Sequence, residues 1–138
     1  MRKAVALTMV VVYVAANLLV SSASALPPFK KAFEQRYAGD TSSDEFKAAV
    51  KAAGCNVCHV KGSMDKKARN PYGMALAKIT GGHAKKDLDA LSDDGKKAKM
   101  EELLKKLDEA FTTVEAQKSA SGKTYGELIK GGKLPAGN

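Results

Sequence analysis

The amino-acid sequence predicts an all-α domain, and three observations support this fold class. Apolar residues recur at helical spacing after Pro28, residue pairs with helix-capping spacing precede several of these segments, and no segment alternates as a strand would. The length of 138 residues is typical of one domain. Because only 6% of the residues are aromatic and Trp is absent, we expect a small core that benefits from a covalent or metal-bound support.

The periodicity predicts about five short helices, of which two precede the cysteines. The first ends at Gly39 and has three rings on one face, namely Phe29, Phe33 and Tyr37. The second begins near Ser42, since the spacing from Ser42 to Glu45 is that of a capping box. We expect it to end at Gly54, directly before the first cysteine.

The middle of the chain carries a clear helix-start signal. Asn70 followed by Pro71 is typical of a cap residue and a first helical position, and it predicts a third helix over 72–79. Gly81 is expected to close this helix. Residues 84–91 are predicted to form one or two further helical turns.

The C-terminal part predicts the longest helix and a short final one. Ser92 is expected to cap the long helix, which covers about 95–118. Its apolar stripe consists of Met100, Leu103, Leu104, Leu107, Phe111 and Val114. Thr124 and Glu127 repeat the capping-box spacing and open the final helix.

The first 25 residues have the layout of a secretory signal peptide. Arg2 and Lys3 are followed by the apolar segment 4–20 and by the small residues Ala23 and Ala25 at cleavage-site spacing. We therefore expect a mature domain over 26–138 that works in the periplasm or is secreted, with no membrane span after cleavage. An uncleaved N-terminal membrane anchor is the alternative.

The residues Cys55-Asn56-Val57-Cys58-His59 form the C-x-x-C-H signature of covalent c-type haem attachment. Two thiols at this spacing can form thioether bonds to both vinyl groups of one porphyrin, and the adjacent imidazole can bind its iron. The motif uses both cysteines of the chain. A redox disulfide would need a βαβ context, and a zinc site would have to add His83 to Cys55, Cys58 and His59.

With this motif, the chain resembles the small monohaem c-type cytochromes of class I, and in particular secreted bacterial ones. The resemblance covers about residues 40–134 and includes Pro71, twelve residues after His59. It implies that Cys55 and Cys58 hold the haem and that His59 is the proximal ligand. It also implies that the carbonyl of Pro71 accepts a hydrogen bond from the imidazole of His59.

The distal side of the iron is open to several interpretations. Met100, 41 residues after His59, is our expected sixth ligand, while Met74, Met64 and His83 are alternatives, as is an open iron. The interpretation without ligation is that Met100 belongs to the core of the long helix. A methionine ligand would raise the reduction potential relative to a second nitrogen.

The function that we expect is one-electron transfer between redox proteins, without enzymatic activity. Lysine-rich residues after the motif predict an acidic docking surface on the partner; they are Lys61, Lys66, Lys67 and Arg69. Nucleic acid is not an expected partner of an exported chain without a recognition motif. The alternatives are a haem-based gas-binding or sensor module and a peroxidase-type enzyme, both of which need an open iron site.

Overall fold

The structure is a computed structural model that describes residues 26–65, 67–82 and 84–137. Helices account for most of these residues. The α-helices are α1 (Pro27–Tyr37), α2 (Asp44–Ala53), α3 (Pro71–Thr80), α4 (Ala84–Asp89), α5 (Asp93–Glu115) and α6 (Tyr125–Lys130), and a 3₁₀ helix (Gly54–Val57) follows α2. Within these ranges there is no strand, so the all-α prediction is confirmed. The described residues form six α-helices where about five helices were expected, because the turns expected over 84–91 close into α4.

The predicted signal peptide, residues 1–25, lies outside the described residues. In the part of the chain that is described, none of the helices has the length and apolar character needed to cross a membrane.

Two of the predicted helix starts have the expected capping contacts. The side chain of Asn70 accepts a hydrogen bond from the Gly73 amide at 2.9 Å, and Pro71 occupies the first position of α3. At α6, Thr124 accepts from the Glu127 amide at 3.1 Å, and the Glu127 carboxylate accepts from the Thr124 amide at 2.7 Å. Both bonds of the predicted capping box are therefore present.

The other two predicted starts differ in detail. The cap of α2 is Ser43 rather than Ser42, since the Ser43 hydroxyl accepts from the Phe46 amide at 3.2 Å. The Ser42 hydroxyl instead donates to the carbonyl of Tyr37, which ties the end of α1 to the turn that follows it. Ser92 does occupy the cap position of α5, but its side chain makes no capping hydrogen bond.

The core forms around α5, against which α1, α3, α4 and α6 pack. The buried face of α5 supplies Leu107, Ala110, Phe111 and Val114 to the main cluster. The ring of Phe111 lies 6.0 Å from that of Phe33 on α1, measured between centroids, and the two rings are nearly perpendicular. Burying a side chain of this size stabilises a fold by about 1.5–3 kcal/mol, so the few aromatic residues are concentrated where they contribute most.

A polar cluster centred on Arg36 holds the C-terminal end of α1 against α5. Its guanidinium group donates to the side chains of Asp108, Thr112 and Glu115. The same group lies 5.5 Å from the centroid of the Tyr37 ring, and the Tyr37 hydroxyl donates to Glu115 at 2.6 Å. The pKa of Tyr37 is raised, mainly by burial of its hydroxyl and next by the hydrogen bond to the Glu115 carboxylate. The hydroxyl therefore keeps its proton and stays a donor.

Replacing Thr124 with alanine is expected to destabilise the protein by about 1 kcal/mol, because α6 loses the side-chain half of its capping box. Chemical denaturation at pH 7, followed by circular dichroism, measures the change. An unchanged midpoint would show that this cap does not contribute to the folded state.

The capping box also predicts a pH dependence. The hydrogen bonds from Thr124 lower the pKa of Glu127, the backbone bond having the larger effect. A carboxyl with a lowered pKa stabilises the fold above its unfolded pKa of about 4.3, and this contribution is lost as the pH falls through the folded value. Glu127→Gln should therefore be less stable than the wild type at neutral pH and equal to it in strong acid. A constant difference between the two proteins across this range would contradict the prediction.

Candidate haem-attachment site

The Cys55–His59 segment begins where α2 ends. Gly54 has a φ of +52°, in a region that favours glycine, and it turns the chain out of α2 into the 3₁₀ helix. The carbonyl of Cys55 accepts from the amides of Cys58 at 3.2 Å and His59 at 3.0 Å. This tight turn places both cysteines and the histidine within a single short loop, which we call the haem-motif loop (residues 55–59).

The two cysteines have different environments. Cys55 is exposed, whereas Cys58 is half-buried, packs against the main core cluster, and has its thiol away from water. Burial raises the pKa of Cys58 to about 12, with the positive charge of Arg69 acting in the opposite direction. Both cysteines are free thiols in the structure rather than partners in a disulfide.

The imidazole of His59 is held by one backbone contact. Its Nδ1 atom lies 3.1 Å from the carbonyl oxygen of Ala68. Because a carbonyl only accepts, Nδ1 is the protonated nitrogen of the neutral imidazole, and Nε2 is then the nitrogen with the electron pair that a metal ligand requires. The same carbonyl accepts from the amide of Val60 at 3.1 Å, so residues 59–60 and 68–69 run side by side.

The resemblance predicts that Pro71 supplies the acceptor for this imidazole. The contact in the structure is with the Ala68 carbonyl, and the role of Pro71 beside a bound haem stays a prediction. Pro71 is the first residue of α3, where its ring fits the helical backbone. Nothing in the side-chain pattern of the sequence distinguishes Ala68, because the acceptor is a main-chain atom whose position depends on the path of the 60–68 loop.

Asn70 has a second role in this region, beyond the helix cap that the sequence predicts. Besides capping α3, its Nδ2 atom lies 3.1 Å from the carbonyl of Asn56, 3.0 Å from that of Val57 and 3.4 Å from that of His59. Its backbone amide donates to the Cys58 carbonyl at 3.1 Å. The side chain is only 8% exposed, so these bonds satisfy a polar group that is costly to bury unpaired.

Gly73 allows α3 to approach the haem-motif loop closely. A Cβ atom added at Gly73 would lie 1.9 Å from the carbonyl oxygen of Cys58 and 3.0 Å from its Cα. Any side chain larger than hydrogen would force the helix and the loop apart. Leu76, three residues after Gly73, is buried in the core together with Tyr72, so α3 packs against the core as well as against the loop.

Three of the four candidates for the sixth ligand lie in the described chain, each in a different part of it. Met100 is half-buried in the N-terminal half of α5, before the first buried leucine of that helix. Met74 is 51% exposed on α3, and Met64 is 96% exposed in the loop after the motif. His83 lies outside the described residues. Ligation by Met100 therefore stays a prediction.

The basic residues after the motif are only partly available to a partner. Lys61 and Lys67 are exposed, and Lys66 lies outside the described residues. Arg69 is half-buried and donates to the Gly82 carbonyl at 2.7 Å, which gives it a structural contact in addition to its charge. Several lysines elsewhere pair with carboxylates on their own helices, as Lys99 and Lys106 do with Glu102.

Comparisons with protein-family models, with curated proteins and with solved structures found no match. The described residues contain no group of three or more His, Cys, Asp or Glu side chains placed to share a metal ion. The site therefore offers two thiols and one imidazole, in a loop held by backbone hydrogen bonds and by the side chain of Asn70.

This donor set fits a covalently bound haem. Such a haem needs two thiols with two residues between them and one axial nitrogen, rather than a cluster of metal ligands. The haem-motif loop supplies these three groups, and its imidazole has the required tautomer.

Proposed function

We propose that the protein is a monohaem c-type cytochrome that carries single electrons between redox proteins. The observation that supports this most strongly is the state of His59. Its Nδ1 atom lies 3.1 Å from the Ala68 carbonyl oxygen, so in the neutral imidazole Nε2 is the nitrogen that could bind iron, in the residue that directly follows the second cysteine. A hydrogen bond of this type orients a ligating imidazole and makes it a stronger ligand.

In this proposal the residues of the haem-motif loop have separate roles. Cys55 and Cys58 hold the haem through two thioether bonds, and His59 is the proximal ligand. The bound haem supplies a one-electron Fe(III)/Fe(II) couple. Ala68 fixes the tautomer of His59 through its carbonyl, and Asn70 and Gly73 hold the loop against α3.

Whether a side chain fills the sixth position of the iron would decide between an electron carrier and a protein with an open iron site. We propose Met100, since a low-spin iron with six ligands changes little in geometry between its two oxidation states. Met100 is half-buried rather than part of the fully buried stripe of α5, so its side chain is not committed to the core.

Export and an acidic partner complete the proposal. The first 25 residues are proposed as a cleaved signal peptide, which places the mature domain in the periplasm or outside the cell. Exposed Lys61 and Lys67, close in sequence to His59, would attract an acidic surface of a redox partner. This attraction is expected to weaken as the salt concentration rises.

The experiment that tests the proposal is expression of the full chain in a host with c-type haem maturation. We expect the purified protein to remain red after acid–acetone extraction and to gain the mass of one haem. Its ferrous form should be low-spin and should not bind CO. Colourless protein of unmodified mass would contradict covalent attachment, while a high-spin ferric form that binds CO rapidly on reduction would replace the carrier with an open-iron module.

A further inference from the structure

The side chain of Asn70 connects the haem-motif loop to α3 from a buried position. Its Nδ2 atom contacts three main-chain carbonyls, those of Asn56, Val57 and His59, and its Oδ1 atom accepts from the Gly73 amide. An amide nitrogen has two hydrogens, so three acceptors must share them, and the 3.4 Å contact to His59 is the weakest. One side chain therefore contacts carbonyls along most of the loop that carries the thiols and the imidazole.

Among the carbonyls of residues 56–59, the Asn70 side chain does not contact that of Cys58, which is instead bound by the Asn70 backbone. The Asn70 amide donates to the Cys58 carbonyl at 3.1 Å. The carbonyls of residues 56–59 thus all accept from Asn70, two through strong side-chain contacts, one through the backbone and one through the weaker contact. Such an arrangement fixes the orientation of consecutive peptide planes, which short turns without a partner do not achieve.

The position of Asn70 also matters for the hydrogen bond on His59. The acceptor of the His59 Nδ1 proton is Ala68, two residues before Asn70. Asn70 is therefore linked to both ends of this bond, to the donor through the loop carbonyls and to the acceptor through the chain. A shift of Asn70 would move the two ends relative to each other.

We propose that Asn70 is a positioning residue that sets the orientation of the His59 imidazole, and hence the direction of its Nε2 atom. This inference rests on the proposed function, because it assigns a role toward the haem iron. The competing explanation is that Asn70 serves α3 only as its N-cap.

Two substitutions separate these roles. Asn70→Asp and Asn70→Ser both retain a side-chain oxygen that can cap α3, but neither has an NH₂ group to donate to the loop carbonyls. Ser43→Ala and Thr124→Ala are matched controls, because each removes the side-chain cap of another helix without touching the loop. If capping alone matters, the Asn70 variants should be less affected than the controls.

The measurement is the pattern of haem-methyl resonances in the ¹H NMR spectrum of the ferric protein, which depends on the orientation of the axial imidazole. Mass spectrometry of the same samples gives the fraction of chains with covalent haem. We expect both Asn70 variants to show shifted haem-methyl resonances, while both controls retain the wild-type pattern. Loss of haem attachment in both Asn70 variants, with the controls fully loaded, would also support the proposal because the cap is retained.

Two results would overturn the inference. A wild-type haem-methyl pattern in both Asn70 variants would show that Asn70 acts only as a cap, and would leave the proposed function intact. A wild-type protein without covalent haem would overturn the proposed function and this inference together. Should one Asn70 variant fail to fold, the other decides, since Asp adds a charge and Ser does not.

Discussion

A Gly73→Ala protein is expected to be less stable than the wild type by about 2–4 kcal/mol, although it gains one methyl group only. The added Cβ would lie 1.9 Å from the Cys58 carbonyl oxygen, which is a main-chain atom and cannot rotate away. Separating α3 from the loop would also stretch the bond between the Asn70 amide and the same carbonyl. Alanine favours a helix over glycine by up to about 1 kcal/mol, so the clash outweighs the gain in propensity.

The matched control is Gly95→Ala, in the first turn of α5. A Cβ at Gly95 would be 3.4 Å from its nearest neighbours, Leu91 Cβ and Ser92 Oγ, which is ordinary contact. This variant should be unchanged or more stable by up to about 1 kcal/mol, since alanine reduces the freedom of the unfolded chain. Urea denaturation of both variants provides the comparison. Equal losses at the two positions would show that the approach of α3 to Cys58 is not the reason for glycine.

The helices could be predicted from the sequence because their signals are local. The faces of α1 and α5 follow from apolar spacing, and Phe33, Leu107 and Phe111 are buried as that spacing requires. The start of α3 follows from a cap residue and a proline, which act within one turn. Local signals also explain the one-residue error at α2, since Ser42 and Ser43 are both suitable caps and the choice depends on the turn after α1.

Of the candidate site, only the motif itself is visible in the sequence. The types and spacing of Cys55, Cys58 and His59 follow from what attachment of a haem requires, and they are visible in five consecutive residues. The contacts that hold them are long-range and largely main-chain. The Ala68 carbonyl leaves no side-chain signature, and its contact with His59 depends on the path of the 60–68 loop.

Only one of the two roles of Asn70 could be predicted from the sequence. Its role as a cap is visible, because the signal for a cap is a residue type followed by proline. Its contacts with three carbonyls are not visible, since they depend on the close approach of α3 to the haem-motif loop, where a Cβ added at Gly73 would lie 1.9 Å from the Cys58 carbonyl oxygen. Asn70 and Gly73 therefore act together: the side chain of Asn70 donates to the loop carbonyls, and Gly73, without a Cβ, lets α3 come close enough for these hydrogen bonds to form.

The second large effect is expected at the cysteines, where covalent haem should fall from one per chain to none in the double variant Cys55→Ala, Cys58→Ala. Each single variant should retain one haem through the remaining thioether bond. The reduced pyridine haemochrome should then absorb at longer wavelength, because one vinyl group stays unreacted. Visible spectra and intact mass, measured before and after acid–acetone extraction, give the number of attachments for each protein.

The two single variants are expected to differ in stability rather than in haem content. Cys58 packs against the core and Cys55 is exposed, so Cys58→Ala removes buried contacts that Cys55→Ala does not. His59→Ala is the control for attachment, since it keeps both thiols and should keep covalent haem while the iron loses its proximal nitrogen. Haem that remains bound to the double variant after extraction would show that the thiols are not the points of attachment, and the role of the loop would then reduce to ligation by His59.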